Sequence, residues 1–398
     1  MSKINKEDKE AFLALVDDRP NVIMTLLELN NKTNLNLSLD GIDTPPLLHD
    51  SPPLISIAIF LEANKCISAL LTHRSNLTIT DSKGRQPIHF AAACNQIPTL
   101  KTLQDLGANL ADTDSSQRNI LHYASMFDHL ILAQWIMSQN LNLRMTDANL
   151  FTPLHFAAER GSIELVRYLL KLDNITQTQS DKGWTPILFS AKFDKFDIFQ
   201  TLLQNGGNVN QANNQGEIPL HWSCFNGNLE MTKMCIKNNS NVNAVTIKNQ
   251  TPLIFAVMND HEDIVHYLLA HGADPQISGN DSWNALHIAA DRGNSEIIDA
   301  LARTNMDLNA KDHDKRTALH IAVISNKIDS VRALVAAGAK KNLKDCGLMT
   351  PRSLAVNLHH MDLTEYLMPE SEKQARREGF CYRGRRRYYF KPGERRPY

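Results

Sequence analysis

No stretch of this 398-residue sequence approaches the ~18 uninterrupted apolar residues that a membrane-spanning helix needs. The first ten residues, Met1 to Glu10, contain no apolar segment of the kind found in secretory signals. Cysteine is scarce as well, and its six copies form no Cys-x-x-Cys pair and follow no regular spacing. These absences predict no membrane span, no disulfide framework and no zinc site, and they favour a reducing compartment. We expect a cytoplasmic protein, with the cytoskeleton as the more specific location.

Sequence words that carry catalytic chemistry are also missing. The chain contains no Gly-x-Ser-x-Gly, no Gly-x-Gly-x-x-Gly and no phosphate-binding loop. Six histidines recur at multiples of 33 residues: His89, His122, His155, His221, His287 and His320. Each falls in a separate helical unit, and packed helices lie about 8–10 Å apart, so these histidines cannot share a metal ion. We predict no catalytic residue, no metal, no cofactor and no small-molecule ligand, and we do not expect an enzyme.

The net charge of −1 gives no preference for a charged partner, but it hides an uneven distribution. Residues 370–398 contain ten Lys or Arg and four Glu, a net charge of +6. The remainder therefore carries a net charge of −7. With 42% hydrophobic and 21% charged residues, the chain can bury a continuous core. The composition predicts a mildly acidic folded body with a basic tail.

A seven-residue word returns ten times at an interval of 33 residues. Three clear copies are Gln86–Ala92, Asn119–Ser125 and Thr152–Ala158. Later copies begin at Thr185, Ile218, Thr251, Asn284, Thr317 and Thr350, and a degenerate copy covers 53–59. The word Thr-Pro-Leu-His-x-Ala-Ala with this period resembles the ankyrin repeat. The resemblance implies an all-α solenoid of stacked helix-turn-helix units with loop or β-hairpin tips.

The register of the word divides the chain into four segments. We predict a degenerate N-terminal capping repeat over 1–30, a long proline-containing loop over 31–52, ten ankyrin repeats over 53–369 and a basic, aromatic-rich tail over 370–398. The loop is about ten residues longer than the period requires, which is consistent with either a functional insert or a tolerated extra length.

The unit over 152–184 shows how the word predicts structure. Thr152 is a capping residue, and Pro153 follows it where a helix needs no N–H group. Gly161 is placed to end the first helix, and Ser162 to begin the second. The usual Gly-Ala exit is absent from residues 171–178, where we expect a local irregularity. The resemblance implies that the histidine of the word is a structural hydrogen-bonding residue.

Candidate binding residues are those that the repeat itself does not require. In ankyrin repeats the loop tips and the exposed ends of the first helices line one concave surface, which commonly binds a partner protein. Aromatic residues and arginine at such positions are typical of binding hot spots. The candidates are Phe127, Phe151, Arg160, Trp184, Phe193, Phe225, Trp283, Arg292 and Arg316. The alternative is that some of these rings fold onto neighbouring loops and fill gaps inside the solenoid.

The tail is the second candidate site, because seven basic and six aromatic residues share the nineteen positions from Phe380 to Tyr398. Its candidate residues are Arg383, Arg385, Arg386, Arg387, Tyr388, Tyr389, Phe390, Arg395 and Arg396. Arginine interleaved with aromatic rings suits an acidic polymer such as RNA or a microtubule. Two alternatives are that the tail packs on the last repeat as a cap, and that it is unattached.

These observations favour a non-catalytic protein–protein interaction scaffold. One partner protein would bind on the middle repeats, and the arginine-rich tail would dock on an acidic surface. The alternative is a structural subunit of a cytoskeletal (microtubule or ciliary) or ribonucleoprotein assembly that the tail anchors. Deletion of 380–398 should leave scaffold binding intact but abolish incorporation into such an assembly.

Overall fold

The computed structural model describes residues 6–29, 36–39, 44–72, 76–173, 175–280, 282–369, 371–372, 374, 380–383 and 386–389. The chain divides into two compact units, Met1–Asn214 (unit 1) and Gln215–Tyr398 (unit 2). In both units short α-helices alternate with turns, and the first and second helix of each repeat pack together. The fold of the repeats is all-α, as the sequence predicts.

Unit 1 contains twelve α-helices in its described part. They are α1 (Lys6–Val16), α2 (Pro20–Leu29), α3 (Leu54–Phe60), α4 (Asn64–Thr72), α5 (Pro87–Ala93), α6 (Ile97–Asp105), α7 (Ile120–Met126), α8 (Leu130–Ser138), α9 (Pro153–Arg160), α10 (Ile163–Leu172), α11 (Pro186–Lys192) and α12 (Phe196–Gln204). From α3 onward, odd-numbered helices contain the seven-residue word and are termed inner helices; even-numbered ones are termed outer helices. Consecutive inner helices pack on one another from α3 to α11.

Unit 2 continues the same alternation in its described residues. Its helices are α13 (Pro219–Asn226), α14 (Leu229–Lys237), α15 (Pro252–Met258), α16 (Glu262–Ala270), α17 (Ala285–Arg292), α18 (Ser295–Ala302), α19 (Ala318–Ile324), α20 (Ile328–Ala336), α21 (Pro351–Asn357) and α22 (Met361–Tyr366). Two strands follow, β1 (Phe380–Arg383) and β2 (Arg386–Tyr389).

The helix ends follow from the residues predicted to make them. Thr152 is the N-cap of α9, and Pro153 is its first residue. Gly161 ends α9 in the left-handed conformation, with φ of +89°, which a residue with a side chain rarely adopts. The predicted irregularity after Lys171 is also present. The outer helix α10 runs to Leu172, and Asp173 follows in an extended conformation and accepts hydrogen bonds from Arg144 at 2.6 and 2.9 Å.

Among the described residues, most repeat tips are linked to the next tip by a backbone hydrogen bond. In the turn before α11, Ser180 donates to the carbonyl of Trp184, and the N–H of Asn214 bonds the carbonyl of Lys182 at 3.0 Å. Gly183 has φ of +77°, and a Cβ there would lie 2.7 Å from Oδ1 of Asn214. Glycine adopts this conformation without strain and leaves room for the next tip, although Leu150 and Lys315 adopt a positive φ at the equivalent position of other repeats.

The described part of the long loop packs against its neighbours. A short 3₁₀ helix covers Pro46–Leu48, and Leu37 and Leu48 are buried. The N–H of Leu37 donates to the carbonyl of Pro52 at 3.1 Å. The guanidinium of Arg85 also reaches the loop, where it donates to Asp50 at 2.9 Å. This part of the loop is therefore fastened to the first full repeat.

Part of the tail forms a two-stranded antiparallel hairpin, which the sequence analysis did not predict. The register pairs Phe380 with Tyr389 and Arg383 with Arg386. Tyrosine and phenylalanine favour strands, so the aromatic content that suggested a binding tail also accounts for the hairpin. Of the candidate tail residues, Arg383, Arg386, Arg387, Tyr388 and Tyr389 lie in the two strands, whereas Arg385, Phe390, Arg395 and Arg396 lie outside the described residues.

Candidate functional site

The repeated histidines are structural hydrogen-bonding residues, as the resemblance implies. Nδ1 of His155 accepts the N–H of Thr152 at 3.1 Å, and Nε2 donates to the carbonyl of Trp184 at 3.0 Å. His122, His221, His287 and His320 make the same pair of bonds, the second always to a carbonyl 29 residues ahead. Each ring therefore fixes a helix start and ties its repeat to the next.

Three of the predicted aromatic residues in unit 1 meet around a ring that the sequence analysis did not select. Phe189 lies 5.1 Å from Phe151, 5.3 Å from Trp184 and 5.6 Å from Phe193, centroid to centroid. Phe156 joins the group at 5.9 Å from Phe151. Edge-to-face and tilted ring pairs of this kind are favourable. We refer to Phe151, Phe156, Trp184, Phe189 and Phe193 as the aromatic cluster.

The aromatic cluster is partly open to solvent and borders charged groups. Phe189 is buried, Phe193 is 36% exposed and the other three rings are half-buried. Nζ of Lys192 lies 4.6 Å from the Trp184 ring and 5.4 Å from the Phe193 ring, within cation–π range. Burial raises the pKa of Glu159 on α9, and the charges of Lys192 and Arg160 partly offset this effect.

The other two candidates of unit 1 stand at the ends of inner helices. Phe127 follows the last residue of α7, is 36% exposed and stacks on His129 at 6.1 Å. Arg160 is the last residue of α9 and is exposed. Both positions agree with the exposed helix ends predicted from the repeat.

In unit 2 a pocket of about 540 Å³ lies between α15, α17 and the turns before them. Its wall includes two candidate residues, Trp283 and Arg292, together with Met258 and Ile288. The Trp283 indole is fixed because Nε1 donates to Asp312 at 3.2 Å. Arg292 is held by Asp260 at 2.5 and 2.9 Å. The pocket thus combines apolar side chains with an arginine that is already paired with an aspartate.

The remaining candidates in unit 2 have different surroundings. Phe225 is 43% exposed and contacts Trp222 edge-to-face at 5.6 Å. Arg316 forms ion pairs with Asp312 at 2.8 Å and Asp314 at 2.9 Å. Both carboxylates belong to the same turn as Arg316, so this arginine stabilises the turn.

The residue that follows the histidine position of the word was not among the predicted binding residues. This residue supplies Phe156 and Phe189 to the aromatic cluster and Ile288 to the pocket. A signal was present, because the position is aromatic in six consecutive copies: Phe90, Tyr123, Phe156, Phe189, Trp222 and Phe255. The word tolerates any residue there, so a run of six rings is informative.

Comparisons with known proteins agree with this geometry. The profile described as ankyrin repeats (3 copies) matches residues 54–147, 121–213, 187–279 and 271–345. Among solved structures, the crystal structure of the human ASB11 ankyrin repeat domain has a TM-score of 0.51 and 24% identity, and the match covers 56% of this chain and 99% of that one. The search of curated proteins gives no match.

No helix in the described ranges is long and apolar enough to cross a membrane. The ASB11 likeness supports the fold alone, since its identity is low. The profile matches, in contrast, span well over half of the sequence and follow the same 33-residue register as the helices. The chain belongs to the ankyrin-repeat family, whose repeats are protein–protein interaction modules.

Proposed function

We propose that this protein is a non-catalytic scaffold that binds a partner protein on the aromatic cluster of unit 1. The observation that supports the proposal is a group of rings left partly open to solvent instead of being covered by the repeats. Fixed aromatic rings lose little entropy on binding and dominate the energetics of interfaces. Because the ammonium group of Lys192 lies against two of these rings, the fitting partner segment carries an apolar side chain next to a carboxylate.

The proposal is tested by the double variant Trp184→Ala/Phe193→Ala. Loss of two hot-spot rings costs at least about 2 kcal/mol of binding, so the affinity should fall at least ~30-fold. Partners are first identified by pull-down from a lysate of the source cell, and the affinity is then measured by titration with the purified partner. Tyr267→Ala is the matched control, since Tyr267 is half-buried, stacks on His271 and lies on the outer helix α16. Equal affinity of the double variant and wild type would refute the proposed surface.

We propose that the tail docks on an acidic surface. Its net charge of +6 and its aromatic residues support this proposal. The full chain is compared with a chain that ends at Glu378, with washes at low and at ~0.5 M salt. Partners held by the tail should be lost on truncation and should be released by salt, because exposed charges are screened. Tubulin or RNA among them would favour the alternative function, a tail-anchored structural subunit. A tail that acts as a cap would instead lower the thermal stability on truncation and leave the set of partners unchanged.

A further inference from the structure

The outer helices from α10 to α22 follow a charge rule that α8, like α4 and α6, does not follow. Their second residue is acidic in seven consecutive repeats: Glu164, Asp197, Glu230, Asp263, Glu296, Asp329 and Asp362. An acid in the first turn is favoured by the helix dipole. In α8 the second residue is Ile131, which is 62% exposed. The whole of α8, Leu130–Ser138, contains no charged residue, whereas each of the other outer helices contains at least one.

Apolar side chains of the two neighbouring outer helices extend this surface. Leu106 follows the end of α6 and is 53% exposed, and Leu172 ends α10 and is 45% exposed. Trp135 on α8 and Tyr168 on α10 occupy equivalent positions, and both are half-buried. The helices are neighbours, because α8 packs on α10 and Nε2 of Gln104 donates to Oε1 of Gln139 at 3.2 Å. We refer to Leu106, Ile131, Trp135, Tyr168 and Leu172 as the α8 patch.

We propose that the α8 patch is a self-association interface, on which two copies of this chain pair about a two-fold axis with their α8 helices antiparallel. A two-fold contact places each residue near its own equivalent, so a charged centre would oppose like charges. The acidic residue of the other outer helices would bring carboxylates together in this way. An uncharged α8 can pack on its copy without this repulsion. Burial of the exposed apolar patch also lowers the free energy of the dimer.

The charges near the ends of the helices on both sides of α8 complement themselves in the antiparallel arrangement, and Arg167, midway along α10, is already paired with Glu164 at 2.9 Å. On α10, Glu164 near the start and Lys171 near the end are both exposed, so each would face the opposite charge of the copy. On α6, Lys101 and Asp105 are both exposed and would pair in the same way. The midpoint of the α10 pair is residue position 167.5, and that of the α6 pair is 103. Because α6 and α10 are two 33-residue repeats apart, the two midpoints differ by one and a half residues along equivalent helices. This offset is about 2 Å of helix rise, which lysine side chains can span.

A second copy fits these charges better than a membrane surface does. Docking on anionic lipid requires a cluster of roughly four to eight basic residues. The patch is bordered instead by cations and exposed carboxylates in similar numbers, among them Asp105 and Glu164. The carboxylates would be repelled by anionic lipid, whereas in the dimer each of them faces a lysine.

The test is the mass of the full chain in solution, measured by sedimentation velocity over a range of concentrations. Wild type should dimerise as the concentration rises, and Ile131→Glu should weaken the dimer at least tenfold. This variant restores the acid found in seven other repeats, so circular dichroism should show an unchanged fold. Met361→Glu is the matched control, because Met361 is 63% exposed on the outer helix α22, and it should dimerise as wild type does.

A charge exchange on α10 tests the antiparallel geometry. Glu164→Lys and Lys171→Glu should each weaken the dimer, and the double variant should recover most of the loss. Glu164→Lys and the double variant both lose the pairing of Glu164 with Arg167 inside α10, which is 2.9 Å long in wild type, whereas Lys171→Glu keeps it, so the recovery is read between the two variants that lack the pairing. Only the contact between copies explains a recovery. Three results would overturn the proposal. The wild type could stay monomeric, the Ile131→Glu variant could dimerise as wild type does, or the monomer could bind anionic vesicles through Ile131.

Discussion

Lowering the pH from 7.5 to 5 should destabilise the protein by several kcal/mol, because its buried histidines are neutral in the folded state. Burial lowers the pKa of His122, His155 and His221 to about 4. An unfolded histidine has a pKa near 6.5. Between these values the unfolded chain binds more protons than the folded one, so stability falls as the pH falls. Each of the three should cost about 2 kcal/mol at pH 5, or about 6 kcal/mol together.

The hydrogen bonds explain why protonation is not tolerated. Nδ1 of each ring accepts a backbone N–H, and a proton on this nitrogen would abolish the bond and leave a buried charge. Guanidinium chloride unfolding at pH 7.5, 6 and 5 measures the loss. His155→Leu is the matched variant, because Leu188 occupies the same position one repeat later. It should lose about 2 kcal/mol less than wild type between pH 7.5 and 5. A free energy of unfolding that is constant over this range would contradict the assignment.

Arg85→Met should lower the stability of the first full repeat by about 3–5 kcal/mol, since it leaves a buried carboxylate without its cation. The Arg85 side chain is 7% exposed, and that of Asp81 is fully buried. Nε of Arg85 donates to Asp81 at 2.5 Å, and a terminal nitrogen donates to Asp50 and to the carbonyl of Leu47, both at 2.9 Å. The guanidinium also lies 5.1 Å from the Phe90 ring. One side chain thus joins the long loop to the repeat.

Arg316→Met provides a control at the equivalent repeat position. Arg316 is 29% exposed, and its partner Asp312 also accepts a hydrogen bond from Trp283. The Asp312 side chain is 1% exposed, but removal of the partly exposed Arg316 side chain opens it to water and Trp283 keeps its hydrogen bond, so the loss should be smaller, about 1 kcal/mol. Hydrogen exchange of the amides of 81–93, together with denaturant unfolding, measures the effect of Arg85→Met. The double variant Arg85→Met/Asp81→Asn should recover much of the loss, because it removes the unpaired charge and keeps Oδ1 as the acceptor of the N–H groups of Lys83 and Arg85. Equal losses for Arg85→Met and Arg316→Met would show that burial of the pair does not matter.

Most of the fold could be predicted from the sequence, because its determinants are local. The N-cap Thr152, the following Pro153 and the terminal Gly161 act within one or two turns of the helix that they start or end. The 33-residue period then repeats these local signals along the chain. The irregularity after Lys171 could also be predicted, because the sequence there lacks the Gly-Ala pair that follows the outer helix in other repeats. The hairpin of the tail was not predicted, because its pattern does not repeat.

The positions of the candidate residues along the helices could be predicted from the sequence, but the contacts of their side chains could not. The word indicates which residues precede a helix and which end it, and Phe193 and Arg160 are indeed exposed. It does not indicate the direction of a side chain, which depends on packing against the next repeat. Arg316 and Arg292 are equally plausible binding residues by sequence, yet each pairs with aspartates of the protein itself.

The sequence by itself therefore determined the family, the order of the helices and the structural role of the histidines, since each depends on contacts between residues in fixed register. Only the tertiary structure decided that Phe151, Trp184 and Phe193 meet around Phe189. It also decided that Ile131 is left uncovered on α8. These outcomes depend on which atoms of the adjacent repeats pack around a side chain. The repeat pattern specifies the position of a residue along the chain, but it does not specify this packing.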